Sequence, residues 1–248
     1  MEARKRHIHL RPRLTAAADL LAEHLPEQAC VADIGCDHGR LSCGLMQMHP
    51  TWRCIAADVS APTLEKARQL AEFTGLSDRV EFRLGNGLSV LGANEADAVV
   101  LCGMGGELMV ELLEHAPFSL GTLRLAVFQP MRGVEELRAW LYENRWHILS
   151  DRVVRDAGRL YQVFSARPPQ EGEFRQPWTE DFPKHCFSLG YKAFEQRDLL
   201  FSDLAEQQLF LVEKRLKTAK GTDGEKKLLA HWQDLQQITR RCKTEPKG

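Results

Sequence analysis

The sequence lacks three features, each of which would define a class of protein. Its seven cysteines form no CxxC pair and no dense framework, which predicts a reducing compartment. No run of about 18 apolar residues occurs, so no membrane span is expected. The formal net charge of −1 excludes a uniformly basic surface, so an anionic partner would have to meet a local basic patch.

The N-terminal segment 1–13 is basic but has no apolar stretch of the signal-peptide kind behind it, which predicts a cytoplasmic protein. Such a charged run is usually a solvated tail, although its position before the rest of the chain would also allow contact with phosphates. Its charged residues are Arg4, Lys5, Arg6, Arg11 and Arg13 against Glu2.

Short apolar strands alternate with helical segments through most of the chain, which is typical of a parallel sheet with right-handed crossovers. Strands are predicted at 30–34, 53–58, 80–84, 97–102 and 123–129, and helices at 14–25, 40–49, 62–74, 106–115 and 133–145. Two further strand-like runs, 146–156 and 160–167, are too close together for an intervening helix and predict a hairpin. The predicted fold is therefore α/β: a Rossmann-like class I methyltransferase sheet of five parallel strands plus an antiparallel C-terminal hairpin.

The remaining residues predict a small all-helical domain. Residues 168–180 contain three prolines and little apolar periodicity, and are predicted to form a linker. Beyond them, two helical stretches with apolar stripes are separated by KGTDG at 220–224, which predicts a coiled-coil-like helical hairpin. The predicted domains are 1–167 for the sheet and 181–248 for the hairpin.

The turn after the first predicted strand, GCDHG at 35–39, is the expected ligand site, because ligands of open α/β sheets bind beyond the carboxyl ends of the strands. Its glycine spacing does not match the G-x-G-x-x-G that brings a helix N-terminus onto a pyrophosphate, so a dinucleotide is disfavoured. Asp33, at the end of the strand, is placed to face the positively charged centres of S-adenosylmethionine.

Polar residues also follow the next two predicted strands. Asp58 could accept hydrogen bonds from both ribose hydroxyls of a nucleoside, and Asn86 could bond an adenine edge. Each alone also suits a capping or turn-forming role, but three in succession favour a nucleoside-bearing cofactor. The predicted cofactor-binding residues are Asp33, Gly35, Cys36, Asp37, Gly39, Asp58, Val59, Asn86, Gly87, Gly103 and Met104.

A glycine-rich segment, 103–106, follows the fourth predicted strand and lacks the side chains by which amino-methyltransferases hold a target amine. The glycines either leave room for a flat ligand or form a tight turn that needs positive φ. Gln129 and Arg132 follow the fifth strand at the same edge.

These residues resemble a known family, the bacterial tRNA adenine-N1 methyltransferases that act on adenine 22, or TrmK family. The resemblance runs from Arg13 through ADIGCDHGRL, LGNGL, CGMGG, QP, LRAWL and YQVF, ending at Phe164. It implies S-adenosylmethionine-dependent methylation of a tRNA adenine at N1 without a metal, and a helical C-terminal domain. The chain departs from the family at two positions, with Arg40 for the usual tyrosine and Asp58 for a glutamate.

Methylation of adenine N1 depends mainly on alignment, because N1 carries an in-plane lone pair. A carboxylate or a neutral imidazole would stabilise the positive charge that develops on the base, so Asp37 and His38 are the predicted catalytic residues. The target base must be unpaired or extruded, and a cation at Arg40 could hold its face. The predicted substrate-binding residues are Arg13, Arg40, Gly105, Gln129 and Arg132.

Several alternatives remain at this point. His38 could be purely structural, and a zinc site at Cys36, His38 and Cys43 would lack a fourth ligand, so no metal is expected. A class I methyltransferase for a small molecule or a protein would be active without RNA. A non-catalytic module would bind S-adenosylmethionine or tRNA without turnover.

Overall fold

The structure, a computed structural model, describes residues 7–170, 186–220 and 224–244. Seven strands form one sheet: β1 Cys30–Ile34, β2 Arg53–Asp58, β3 Val80–Leu84, β4 Ala98–Gly105, β5 Leu125–Arg132, β6 His147–Asp156 and β7 Arg159–Arg167. The described α-helices are α1 Pro12–His24, α2 Arg40–Met48, α3 Ala61–Thr74, α4 Gly106–Glu114, α5 Val134–Glu143, α6 Tyr191–Glu195, α7 Phe201–Thr218 and α8 Glu225–Thr244.

The sheet has the strand order β3-β2-β1-β4-β5-β7-β6. Strands β1 to β5 are parallel, and β7 pairs antiparallel with both β5 and β6. The predicted sheet of five parallel strands closed by an antiparallel hairpin is therefore confirmed. Since β6 is antiparallel to β7, it runs in the same direction as β5, and its carboxyl end falls at the same edge of the sheet as those of β1 to β5.

Both faces of the sheet are covered, which explains why the central strands are almost continuously apolar. Successive residues point to opposite faces, so Val31 and Ala32 of β1 belong to different core clusters. One cluster joins the sheet to α1, α2 and α3, and the other joins it to α4 and α5.

The helix that follows β2 has clear start and stop signals. The Ser60 hydroxyl accepts a hydrogen bond from the backbone N–H of Thr63, and Pro62 lies in the first turn of α3. Gly75 ends the helix with φ of +69°. These signals fix the ends of α3, and Ala67 of this helix packs against the turn that follows β1.

Strands β4 and β5 extend three residues further than the sequence predicted, to Gly105 and Arg132. The glycine-rich segment at this end of β4, for which a flat-ligand site and a tight turn were both left open, stays paired with β5, but its register shifts on both sides of Met104. Such β-bulges accommodate glycine-rich sequence while pairing continues, and Gly103 has a positive φ of +79°. The bulged end of β4 lies at the carboxyl edge of the sheet, and its Gly103 lines the candidate site.

The C-terminal helices α7 and α8 pack against each other, as the sequence predicted. They share an apolar cluster with the sheet, in which Leu204, Val212 and Leu235 join Val153 of β6. Residues 171–185 lie outside the described part of the chain, so the linker at 168–180 stays a prediction. Among the described helices, none is both long enough and apolar enough to cross a membrane.

A buried ion pair lies between the sheet and the segment that leads into α6. Arg138 of α5 donates to the Asp151 carboxylate at 2.7 Å and to Gln162 Oε1 at 2.7 Å, and both charged side chains are about 1% exposed. The same guanidinium donates to the backbone carbonyl of Phe187 at 3.2 Å. Burial raises the pKa of Asp151 to about 6, although the charge of Arg138 opposes the shift.

We expect Asp151→Asn to lower the free energy of unfolding by about 3–5 kcal/mol at pH 7.5, because it keeps the side-chain volume but leaves a guanidinium buried without its counter-charge. Asp203→Asn is the matched control, since Asp203 pairs with Arg155 on the surface at 2.6 Å and should contribute less than about 1 kcal/mol. Chemical denaturation of both variants measures the difference. Equal effects would mean that the buried pair has no special role in stability.

Candidate active site

The turn after β1 is held against the neighbouring strand by its own backbone. The N–H groups of Gly35 and Cys36 both donate to the carbonyl of Ala57, at 2.8 and 2.9 Å. Gly35, Asp37 and Gly39 have φ of +73°, +51° and +69°. The left-handed conformation explains two glycines and an aspartate in the turn, because few other residues adopt it at low cost.

Gly39 has a second reason to be glycine. A Cβ at this position would lie 2.8 Å from the Cβ of Ala67, so the turn packs directly on α3. Its carbonyl accepts the N–H of Cys43 and begins α2. Gly39 therefore shapes the turn through packing, in addition to the ligand role predicted for it.

Asp33, at the end of β1, is a buried carboxylate that is only 2% exposed. Its Oδ2 accepts a 2.6 Å hydrogen bond from the hydroxyl of Ser42 on α2. Burial raises the pKa of Asp33 to about 6, and the Ser42 hydrogen bond opposes that shift. A buried carboxylate with a raised pKa in a cleft is typical of a functional position.

Asp58, at the end of β2, is joined to the turn after β1. One carboxylate oxygen accepts the backbone N–H of Asp37 at 3.1 Å, and the other accepts the backbone N–H of Ser60 at 2.9 Å. Each oxygen retains a further lone pair for a ligand. The structure thus brings Asp58 beside the turn, as the sequence predicted from the strand ends.

Asp37 and His38 form an exposed pair at the tip of the turn. His38 Nδ1 lies 2.6 Å from Asp37 Oδ1, and the side chains are 48% and 77% exposed. A neutral imidazole that donates from Nδ1 to the carboxylate presents Nε2 outward as an acceptor.

Arg13 reaches the same sheet edge from the start of α1. Its Nη1 donates to Oε1 of the buried Gln129 at 2.8 Å, and its Nε lies 3.5 Å from Asp156 Oδ2. A Cβ built at Gly103 would be 3.4 Å from Arg13 Nη1, so the guanidinium lies over that glycine. The Arg13 side chain therefore brings three predicted site residues together, namely Arg13 itself, Gln129 and Gly103.

Asp156 was not predicted from the sequence, and Arg11 was predicted only as part of the basic N-terminal segment. Asp156 is 5% exposed and pairs with both Arg13 and Arg11, the latter at 3.1 Å. A signal was present, because the last strand before the hairpin turn DAGR ends in this aspartate. Its position at the site depends on β6 being parallel to β5.

A cavity of about 480 Å³ lies over this turn. Its lining includes eight of the predicted site residues, namely Arg13, Asp33, Gly35, Cys36, Asp37, His38, Arg40 and Gly103. The other lining residues are Arg11, Leu14, Leu41 and Cys102. A concave site with one buried and several exposed polar groups is the expected form of a small-molecule site.

The remaining predicted residues lie at the same edge but outside the lining of this cavity. Val59 and Asn86 are exposed beyond β2 and β3, and Gly87 is buried where a Cβ would approach Leu112. The methyl of Met104 would be 2.9 Å from a Cβ at Gly35, so Met104 lies against the turn. Arg132 approaches Gly105 in a similar way. Their roles toward a ligand stay predictions.

The thiols beside the turn are buried. Burial raises the pKa of Cys43 to about 12 and also raises that of Cys36, which favours the neutral thiols. Within the described ranges, no group of three or more histidine, cysteine, aspartate or glutamate side chains is arranged to hold a metal ion.

A larger cavity, of about 700 Å³, lies against β2 and β3 but contains none of the predicted residues. Residues of both signs line it, including Arg53, Arg79, Glu81 and Glu95. It also lacks a strand carboxyl end, where ligands of such sheets bind, so we do not assign it as the active site.

The strand order, together with a glycine turn between two strand-end carboxylates, is typical of class I methyltransferases. The family model of a methyltransferase domain matches residues 10–164, and the chain belongs to this family.

The chain also has relatives of known name. The tRNA (adenine(22)-N(1))-methyltransferase of Bacillus subtilis is 31% identical over 154 residues, which are 62% of this chain and 65% of that protein. The chain thus matches a little under two thirds of that relative's length.

Solved structures match over nearly the whole chain. The B. subtilis M1A22 tRNA methyltransferase TrmK has a TM-score of 0.81 at 24% identity, covering 94% of this chain and 99% of that one. A putative tRNA (m1A22) methyltransferase from Streptococcus pneumoniae, in complex with S-adenosyl-L-methionine, has a TM-score of 0.75 at 21% identity, covering 92% and 98%. At these identities the likeness concerns the fold.

The hydroxyl of Ser42 stabilises the charged form of Asp33 through its hydrogen bond. We therefore expect Ser42→Ala, which removes that bond, to raise the pKa of Asp33 above 6. Carboxyl carbon chemical shifts of isotope-labelled aspartate, followed against pH and assigned with Asp33→Asn, measure the change. Ser89→Ala is the control, since that hydroxyl donates to the Asn86 carbonyl outside the cavity. An Asp33 pKa near 4 in the unmodified protein would contradict the burial described above.

Proposed function

We propose that this protein is an S-adenosylmethionine-dependent methyltransferase that methylates N1 of adenine 22 in tRNA. The observation that carries the proposal is the single cavity in which a buried carboxylate, a tight glycine turn and an exposed carboxylate–imidazole pair meet at the carboxyl edge of the sheet. Membership of the methyltransferase family and the 31% identity to the B. subtilis tRNA enzyme support the choice of substrate.

The residues present fit S-adenosylmethionine in charge and shape. Asp33 offers a buried negative charge for a cationic cofactor, and Asp58 retains acceptor capacity on both oxygens. The bare backbone at Gly35 and Gly103 lets a ligand approach closely. The S. pneumoniae protein, which has the same fold, was solved in complex with this cofactor.

When bound, S-adenosylmethionine supplies an activated methyl group on its sulfonium centre. Around it, Asp33 would face positive charge, and Asp58 would accept the ribose hydroxyls while its existing hydrogen bonds keep the turn in place. Val59, Asn86, Gly87 and Met104 would complete the cofactor side of the site.

On the base side, Asp37 and His38 act together. The Asp37 carboxylate holds His38 at 2.6 Å, so the outward Nε2 can accept a hydrogen bond from the adenine. Both groups stabilise positive charge as it develops on the base, without a metal. A developing charge is stabilised most when the groups are already oriented, which the hydrogen bond between them achieves.

Arg13 and Gln129 would orient the extruded base. Gln129 is fully buried and its Oε1 already accepts from Arg13, so the guanidinium is fixed over Gly103 at the rim of the cavity. Arg40, at the start of α2, would lie over the face of the base. Gly105 and Arg132 would contact the RNA at the neighbouring rim.

A tRNA substrate and seven cysteines without disulfides also support a cytoplasmic location.

Transfer of a labelled methyl group from the cofactor into bulk tRNA lacking this modification tests the proposal. We expect label to appear in tRNA and to be recovered as 1-methyladenosine after nuclease digestion and nucleoside chromatography. A tRNA transcript with guanine in place of adenine 22 is the matched control and should accept no label. Turnover without RNA, or cofactor binding without any turnover, would overturn the proposal.

We expect Asp37→Asn and His38→Ala each to lower the single-turnover rate about 10²-fold, because they remove groups that act on charge in the transition state. Cofactor affinity should change less than about threefold, since the backbone N–H through which Asp37 contacts Asp58 remains. Asparagine also tolerates the positive φ at this position.

Rapid-quench assays with saturating cofactor and tRNA measure the rate, and calorimetry measures cofactor affinity. Wild-type rates in both variants would make this pair structural. A matching loss of cofactor affinity would instead place the pair on the cofactor side of the site.

A further inference from the structure

A second cavity, of about 450 Å³, adjoins the candidate active site. The two cavities share His38 and Arg40 as lining residues, so they are separated only by the end of the turn and the start of α2. The far side of the second cavity is formed by α3 and by the segment before α1. The unit next to a reactive group bound in the first cavity would therefore lie close to the second.

The second cavity is basic. Arg40, Lys66 and three histidines, His7, His9 and His38, contribute to its lining, and none of its described lining residues is acidic. The carboxylate at its border is Asp37, which holds His38. The cavity against β3, by contrast, has several acidic residues in its lining. A basic groove in a protein of net charge −1 is the local patch that an anionic partner requires.

The same cavity presents an aromatic surface. Phe73 on α3 is 61% exposed, which is unusual for a phenylalanine, and it lies in the lining together with Lys66 of the same helix. A cation and an exposed ring along one groove form the combination by which proteins bind single-stranded nucleic acid, with phosphates at the cation and a base stacked on the ring.

We propose that this basic cavity holds the nucleotide next to the methylated adenine in the RNA strand, with its phosphate at Lys66 and its base stacked on Phe73. The inference rests on the proposed function and adds a subsite to it. Arg40 lines both cavities, so the guanidinium proposed to lie over the face of the adenine also borders the subsite. The extruded adenine is then held by its neighbour as well as by its own pocket.

The test measures tRNA affinity by fluorescence anisotropy with an unmodified, labelled transcript. We expect Lys66→Glu to weaken binding at least tenfold at about 150 mM salt, and Lys66→Ala to reduce the slope of log affinity against log salt by about 0.7–0.9. Arg53→Glu is the matched control, since it makes the same change of charge in the cavity against β3 and should leave affinity within twofold.

The stacking contact has its own variants. Phe73→Leu should weaken tRNA binding about fivefold or more, whereas Phe73→Trp should keep wild-type affinity, because only tryptophan retains a ring on which a base can stack. Thermal unfolding verifies that the exposed position tolerates each change. Equal affinity in Phe73→Leu and wild type would overturn the stacking contact.

The outcomes separate this inference from the proposed function. If wild-type protein methylates tRNA and the variants at Lys66 and Phe73 retain wild-type affinity, the subsite is wrong and the function stands. If wild-type protein neither binds nor methylates tRNA, both fail. Loss of cofactor affinity in Lys66→Glu, measured by calorimetry, would also overturn the subsite, because it would place Lys66 on the cofactor.

Discussion

The position of β1 between β2 and β4 is the constraint from which the site follows. From β1 the strand order proceeds to β2 on one side and to β4 on the other, and the helices after β1 and β4 cover opposite faces of the sheet. The turn after β1 therefore opens into a crevice between diverging segments. The end of β4 lines the same cavity. Gln129 of β5 and Asp156 of β6 hold the Arg13 side chain that lines it, so residues far apart in the chain build one site.

Two carboxylates at this edge of the sheet differ in environment, since Asp33 lines the cavity and Asp58 lies beside the turn outside its lining. Asp33 is buried against Ser42 and has a raised pKa, whereas Asp58 is partly exposed and accepts two backbone N–H groups. The second arrangement also connects the cofactor side to the catalytic pair, because one of those N–H groups belongs to Asp37. A ligand that binds Asp58 would therefore contact the same carboxylate that holds the backbone next to His38.

The parallel strands, the closing antiparallel hairpin and the strand-end residues were predictable, because apolar strands followed by Asp33, Asp58 and Asn86 form a pattern visible in the sequence. Other features depend on tertiary contacts. Arg138 lies on α5, in a helical pattern that would ordinarily place a charge in solvent. Its burial requires hydrogen-bond partners from two strands, Asp151 of β6 and Gln162 of β7. Asp156 likewise reaches the site only because β6 runs parallel to β5. The continued pairing of β4 with β5 through a bulge was not visible in the sequence, because glycines suit a bulge, a turn and a ligand contact alike.

The packing of the C-terminal helices on β6 has a consequence for the sheet as a whole. The backbone N–H of Val153 on this outermost strand donates to Asp198, and the helices share an apolar cluster with the same strand. The opposite margin, β3, carries Glu81 and Arg83 as an ion pair. Charge on one margin and a helical cover on the other both discourage strand addition by a second chain, so the helical segment protects the protein from aggregation.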